Sequence, residues 1–242
     1  MGLQKLGFRP VGKGEQGRWF PPTDFRFVPG LDTIPLSDSE LLQTSHHLPL
    51  LVEVDGPTTR VVAGVSPALV RQSVVDEQGR WLRAYMPLAL RCLPFHLGVP
   101  KTGEIARGTL MISDAFTGEQ GGAEGPAQNV DRLPSPAAMT ATLVAATTGM
   151  AKLGHAADRL VLADLLVPIG ERGGGPELFT LSLDRLGKFT AHRAAALVLD
   201  SFLPMHLLFA MVFSRRHLTP RTDAPNLASR DPVAMDQVAE PG

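Results

Sequence analysis

The run from Arg80 to Phe95 restricts the fold more than any other stretch of the chain. It holds one of the two tryptophans, the only tyrosine (Tyr85) and the only cysteine (Cys92), set among Pro87 and Pro94. Pro87 is suited to the first turn of a helix, where a missing N–H is no loss. Leu93 stands before Pro94 and is driven toward extended backbone, so a helix begun at Pro87 has to be short. Strand-like sequence lies on both sides. The segment therefore reads as a pivot at which a β-rich half turns over. If it is helical, Trp81 and Tyr85, four residues apart, share a face. Arg91 follows one to two turns later, within reach of a ligand carboxylate or a structural acid. Trp81, Tyr85 and Arg91 are the candidate binding residues, set against the plainer reading in which both rings are core and Arg91 is tied internally.

The totals exclude several classes of partner. A chain of 242 residues can bury a sizeable core in one large domain or two small ones. With a formal net charge of −1 and 19% charged residues, it lacks the concentrated basic surface that nucleic acid or an anionic membrane requires. One cysteine permits no internal disulfide and no all-cysteine metal site, and the apolar neighbours of Cys92 suit a buried, inert thiol. The N-terminus shows no apolar stretch of signal-peptide length, and Leu6 stands where a myristoylation signal needs Ser or Thr, so the expectation is a cytoplasmic protein.

Residues 1–23 read as a loose arm. Gly12 to Gly17 spells G-x-G-x-x-G, but with no strand before it and Pro21-Pro22 after it the dinucleotide reading is rejected. Phe25 to Val28 suggests a short strand. Ser37-Asp38-Ser39-Glu40 has the form of a capping box that opens a brief helix closed by His46-His47. Leu50–Val54 and Arg60–Val65 flank a five-residue Gly-containing loop and predict a hairpin, with a third strand over Leu69–Val75 and another over Thr109–Ser113. Residues 116–134 form a Gly-rich acidic loop. Ser135-Pro136 starts a helix that Gly154 is expected to stop, and a second helix runs from His155 to Leu166. One more strand over Glu177–Leu183 is followed by helices from Thr190 to Leu199 and from Pro204 to Leu218. The tail, 218–242, is proline-rich and expected to be disordered. Ala194 to Phe213 has the length of a membrane span, but Asp200 and Pro204 interrupt it and mark a turn between two buried helices.

The predicted class is α+β: an antiparallel, β-rich N-terminal half (24–115) with a helical C-terminal half (135–217) packed on it as one domain. No His-Glu-x-x-His, nucleophile elbow or Walker loop occurs, so no catalytic residue and no metal ligand is nominated and no cofactor is expected.

Several residues of this pattern resemble the bacterial SapC family. They are Phe25-Arg26-Phe27-Val28, Pro35-Leu36 with Glu40, Pro49-Leu50-Leu51-Val52, and the central set Trp81, Tyr85, Pro87, Arg91, Pro94 and Phe95. Asp114 to Gly125, Leu178 to Leu181 leading to Leu186, and Asp200 to Pro204 follow in order. Leu93 departs from the family's usual aromatic, and Ser201 from its glycine. The family supplies no established catalytic residues. The resemblance implies a SapC-like α+β domain in a setting of nutrient or peptide uptake. It points first to a non-enzymatic accessory or binding protein with a protein or small-molecule partner. It leaves open an enzyme or enzyme partner acting on a small molecule or peptide, or an S-layer or export component.

Removing the residues after Leu218 is expected to leave thermal stability unchanged, because the segment is polar and carries little apolar area. A fall of several degrees in the melting temperature of the shortened chain would show that the tail docks on the body.

Overall fold

In a computed structural model of the chain, the described residues are 3–11, 21–98, 109–116, 136–169 and 176–219. Their centre is the predicted hairpin. Strands β3 (Leu50–Asp55) and β4 (Thr58–Gly64) pair antiparallel from Leu50 opposite Ala63 to Asp55 opposite Thr58. Only Gly56 and Pro57 remain in the turn, fewer than the five loop residues expected. Gly56 has φ +56°, a left-handed conformation that glycine enters without a Cβ clash.

Both faces of this hairpin are covered, which explains its nearly continuous run of apolar residues. Leu50, Val52, Val61 and Ala63 point into the main core, while Leu51 and Val62 point to a smaller cluster with Leu69. The strand period of two divides them. β2 (Thr33–Pro35) extends the sheet beyond β4, and β8 (Glu177–Leu181) with β7 (Leu166–Pro168) extends it beyond β3, giving the antiparallel order β2-β4-β3-β8-β7. Buried Glu53 in β3 accepts a hydrogen bond from the Thr33 hydroxyl (3.2 Å) and pairs with Arg60 (3.3 Å), so its carboxylate is compensated. A second sheet, β1-β6-β5, joins Phe8–Pro10, Leu110–Ser113 and Phe95–Leu97. It encloses a satellite core of Cys92, Phe95, Leu97, Ile112, Met139 and Leu143.

Helices cover the main sheet. The longest, α3, runs unbroken from Pro136 to Leu162, so the predicted stop at Gly154 and separate helix from His155 are corrected. Gly154 is a point of contact. A Cβ there would lie 2.6 Å from the Thr59 carbonyl oxygen of β4, and one at Gly149 would meet the Ser37 and Asp38 side chains. Two missing side chains bring the helix onto the hairpin and onto the turn that opens α1 (Leu41–Ser45). The other helices are the short α2 (Leu88–Arg91), α4 (Leu183–Gly187), α5 (Ala191–Leu197, capped by Thr190) and α6 (Leu203–Ser214). The Ser214 hydroxyl accepts from the Leu50 N–H (3.0 Å) and ties α6 to β3. The suspected span therefore falls into two short helices with a turn at Asp200. Among the described residues no helix is long and apolar enough to cross a membrane.

The fold class is as the sequence indicated, an α+β protein with antiparallel sheets mainly in the N-terminal half and a helical C-terminal half. Several local expectations are corrected. Phe25–Val28 is a turn that enters a 3₁₀ helix at Val28–Leu31, because Pro29 sits where a sheet strand needs a donor. Residues 69–75 make two isolated bridges, Val70 with Leu218 and Val75 with Trp81, in place of a strand. Residues 3–11, read as part of an arm, form a 3₁₀ turn and β1, whose partner β6 lies more than 100 residues away. The G-x-G-x-x-G run, most of the acidic loop and the tail beyond Thr219 lie outside the described residues.

Substituting Gly154 by Ala tests the packing of α3. Helix propensity favours alanine by about 1 kcal/mol. The contact with a backbone oxygen at 2.6 Å has no flexible neighbour to yield, so steric cost wins. Chemical denaturation is expected to show a net loss of about 1–3 kcal/mol. Gly187→Ala, which meets nothing within 4 Å, is expected to be neutral or mildly stabilising.

Candidate functional site

The central segment does not open as a helix. Trp81 lies in the bridge with Val75, and α2 begins only at Leu88 and ends at Arg91, with Pro87 as its N-cap. The expectation that Trp81 and Tyr85 share a helical face is corrected. They meet by a different contact: the Trp81 indole Nε1–H donates to the Tyr85 carbonyl at 3.0 Å. The Trp81 ring packs edge-on against Phe25, with centroids 6.4 Å apart. With its one donor satisfied and its ring against the core, Trp81 fixes the loop's shape.

Tyr85 and Arg91 come together around a residue that the sequence marked only as part of a capping box. Glu40 is 2% exposed. Its Oε1 accepts the Ser37 N–H (3.0 Å), the return half of the box. Its Oε2 accepts the Tyr85 hydroxyl (2.9 Å) and the Leu88 N–H (2.6 Å). The Leu88 N–H is one of the first-turn donors that a helix cannot satisfy itself. A single carboxylate thus serves the starts of α1 and α2 and orients the tyrosine. The signal in the sequence is the position of Glu40 behind Pro35-Leu36, which carries the family resemblance but does not name its partners.

Burial, followed by the neighbouring Glu40 carboxylate, pushes the Tyr85 hydroxyl up to about 12. Arg91 is exposed and lies over the Tyr85 ring, its guanidinium carbon 5.4 Å from the centroid, and its Nη2 donates to the Tyr85 hydroxyl at 3.3 Å. Among the described residues no carboxylate lies within ion-pair distance of Arg91. The arrangement therefore presents a permanent cation on a tyrosine that is itself locked to the core.

A small cleft lies behind α2, bordered by Cys92, His96, Leu143 and Met150. Its volume of about 30 Å³ is room for roughly two water molecules, far below the several hundred Å³ of a metabolite site. Burial raises the Cys92 thiol and lowers the His96 imidazole, so both are held neutral at physiological pH. That is the opposite of what an activated thiolate needs. Among the described residues no group of three or more His, Cys, Asp and Glu is placed to hold a metal ion. His155 and Asp158 form a loose surface pair at 4.0 Å.

Comparison with known proteins gives one match: the SapC family model covers residues 15–219. No curated protein and no solved structure matches the chain.

Because Tyr85 is the only tyrosine, its ionisation can be read directly from tyrosinate absorbance. The expected midpoint lies well above 10, near 12. The folded state favours the protonated hydroxyl, so this stabilisation is complete below the unfolded value of 10.0 and is lost as pH climbs toward 12. Tyr85→Phe should remove that alkaline loss. It should also cost about 1–3 kcal/mol at neutral pH, because Glu40 loses a donor in a buried setting.

Proposed function

Since the chain belongs to the SapC family, we propose that it is a non-enzymatic, cytoplasmic accessory or binding protein serving nutrient or peptide uptake, with Arg91 as its contact for a carboxylate-bearing ligand. The observation that carries this reading is the line from the buried Glu40 carboxylate through the Tyr85 hydroxyl to the exposed Arg91 guanidinium. An arginine restrained from beneath loses less side-chain freedom when it captures an anion, and its planar fork suits a carboxylate. Trp81 contributes by holding the loop that carries Tyr85, and its indole N–H is already engaged.

The competing reading, an enzyme acting on a small molecule or peptide, would draw its chemistry from the same segment. Tyr85 is held as a neutral phenol and Cys92 as a buried thiol. Neither is poised as a base or a nucleophile at neutral pH. The balance favours recognition.

Arg91→Ala separates a recognition role from a structural one. The side chain is exposed and, among the described residues, makes one long hydrogen bond and one ring contact, so stability should fall by less than about 1 kcal/mol. Calorimetric titration with short peptides bearing a free terminal carboxylate should show binding by the parent chain. That binding should weaken by about tenfold or more in the variant and for amidated peptides. Equal binding by parent and variant, or no binding by either, would refute the assignment. Peptide turnover detected by mass spectrometry and abolished by Tyr85→Phe or Cys92→Ala would move the reading to the enzyme.

A further inference from the structure

Five basic side chains from three distant parts of the chain meet beyond the end of α6. His46 and His47 close α1, Arg83 follows the bridge at Trp81, and Arg216 and His217 belong to the 3₁₀ turn Arg215–His217. No stretch of sequence concentrates this charge; the fold assembles it. The bridge between Val70 and Leu218, with the Arg71 N–H donating to the His217 carbonyl (2.8 Å), draws residues 70–73 onto the turn. Arg83 comes with them, because its Nη2 donates to the Gln72 and Ser73 carbonyls at 2.7 and 3.1 Å. From the other side Arg216 Nη2 donates to the His46 carbonyl (3.4 Å), and the His46 and His47 rings have centroids 6.5 Å apart.

This charge has no counter-charge. Among the described residues no carboxylate lies within ion-pair distance of Arg83 or Arg216, and the charges that bear on His47 and His217 are those of Arg83, Arg216 and the neighbouring imidazoles. Burial first, and these cations after it, holds both imidazoles below their usual value. Both guanidinium groups are fixed in place with a donor left over. The Arg83 Nε–H is buried and meets no acceptor among the described residues, a costly state for a charged donor. Arg216 lies over the Phe213 ring, its guanidinium carbon 4.1 Å from the centroid, and its Nε donates to His217 Nε2 at 3.1 Å. Its Nη1 has no partner among the described residues.

We propose that His46, His47, Arg83 and Arg216 form a binding site for a phosphate monoester. Such a group is a tetrahedral dianion, and its two charges match two guanidinium groups that lack a carboxylate. A single carboxylate would neutralise only one of them. Its oxygens also accept from several directions, which suits donors that arrive from α1, from the Arg83 segment and from the last turn. The site shares no residue with Arg91 and its carboxylate contact. His217 orients it, since one imidazole accepts from Arg216 and also bonds the His46 backbone.

Three probes test this on the full chain, in chloride at about 0.1 M: inorganic phosphate, phenyl phosphate, and phosphatidylcholine vesicles carrying phosphatidic acid. Calorimetric titration should show binding with a dissociation constant of about 1 mM or tighter. Arg216→Ala removes an exposed side chain and should keep the fold by circular dichroism, yet weaken binding by about tenfold or more. Arg83→Lys keeps the charge and loses the Nε–H, and should weaken binding by about threefold or more. Lys188→Ala removes an exposed positive charge elsewhere and should bind as the parent does. Arg216-dependent binding of the two soluble probes gives the site to a free phosphate ester. The same dependence seen with the vesicles alone gives it to a lipid headgroup. Binding of none of the three overturns the proposal. So does binding that ignores Arg216→Ala, or that Lys188→Ala weakens equally.

Discussion

The described fold depends most on the burial of one carboxylate. Glu40 lies almost out of solvent at a desolvation cost of several kcal/mol, and that cost is offset only because its two oxygens accept three donors. Those donors come from the N-cap of the first helical turn, from the sole tyrosine, and from the start of α2. Each would otherwise be a polar group needing its own partner. Glu40 therefore fixes the distance between the turn at Ser37 and the segment around Tyr85. That distance sets where α2 begins, and with it the side of the molecule on which Arg91 emerges.

The same turn receives α3. A Cβ at Gly149 would strike the Ser37 and Asp38 side chains, and Lys152 reaches Asp38 at 3.5 Å. The long helix, the capping turn and the hairpin beneath it are thus mutually constrained. β8, from the C-terminal half, pairs with β3 in the sheet's interior. The two halves that composition separates are therefore layers of one hydrophobic unit, and neither closes its core alone.

What the sequence revealed was whatever is written locally. The capping box, the hairpin and the Thr190 cap depend on residues within a few positions of one another. Pro87 likewise announces the short helix that follows it. What it concealed was written at a distance. Gly154 looks like a helix stop, because glycine favours both helix ends and close approaches, and only the Thr59 carbonyl distinguishes the two. Residues 69–75 have strand-like composition but no neighbour to complete a ladder. The three residues of β1 have too little pattern to be seen without β6. Of the candidate residues, Tyr85 and Arg91 do come together, but through Glu40 and loop backbone, not through helical spacing. Trp81 was legible as an anchor by its type alone.

Glu40, Tyr85 and Arg91 also show why a site of this kind is hard to read from residue types. The chemistry exposed to solvent is one guanidinium, which on any other surface would be unremarkable. Its distinction lies in what is underneath: a ring that limits its rotamers and a phenol held protonated by burial and by the carboxylate behind it. Were Tyr85 to ionise readily, it would pair with Arg91 and neutralise the one charge the surface offers. Burial, and after it the carboxylate behind the ring, keeps the hydroxyl protonated well beyond its ordinary value of 10.0, and Glu40 accepts its proton in a hydrogen bond. The residue that shapes the proposed recognition surface is therefore the one least accessible to any ligand.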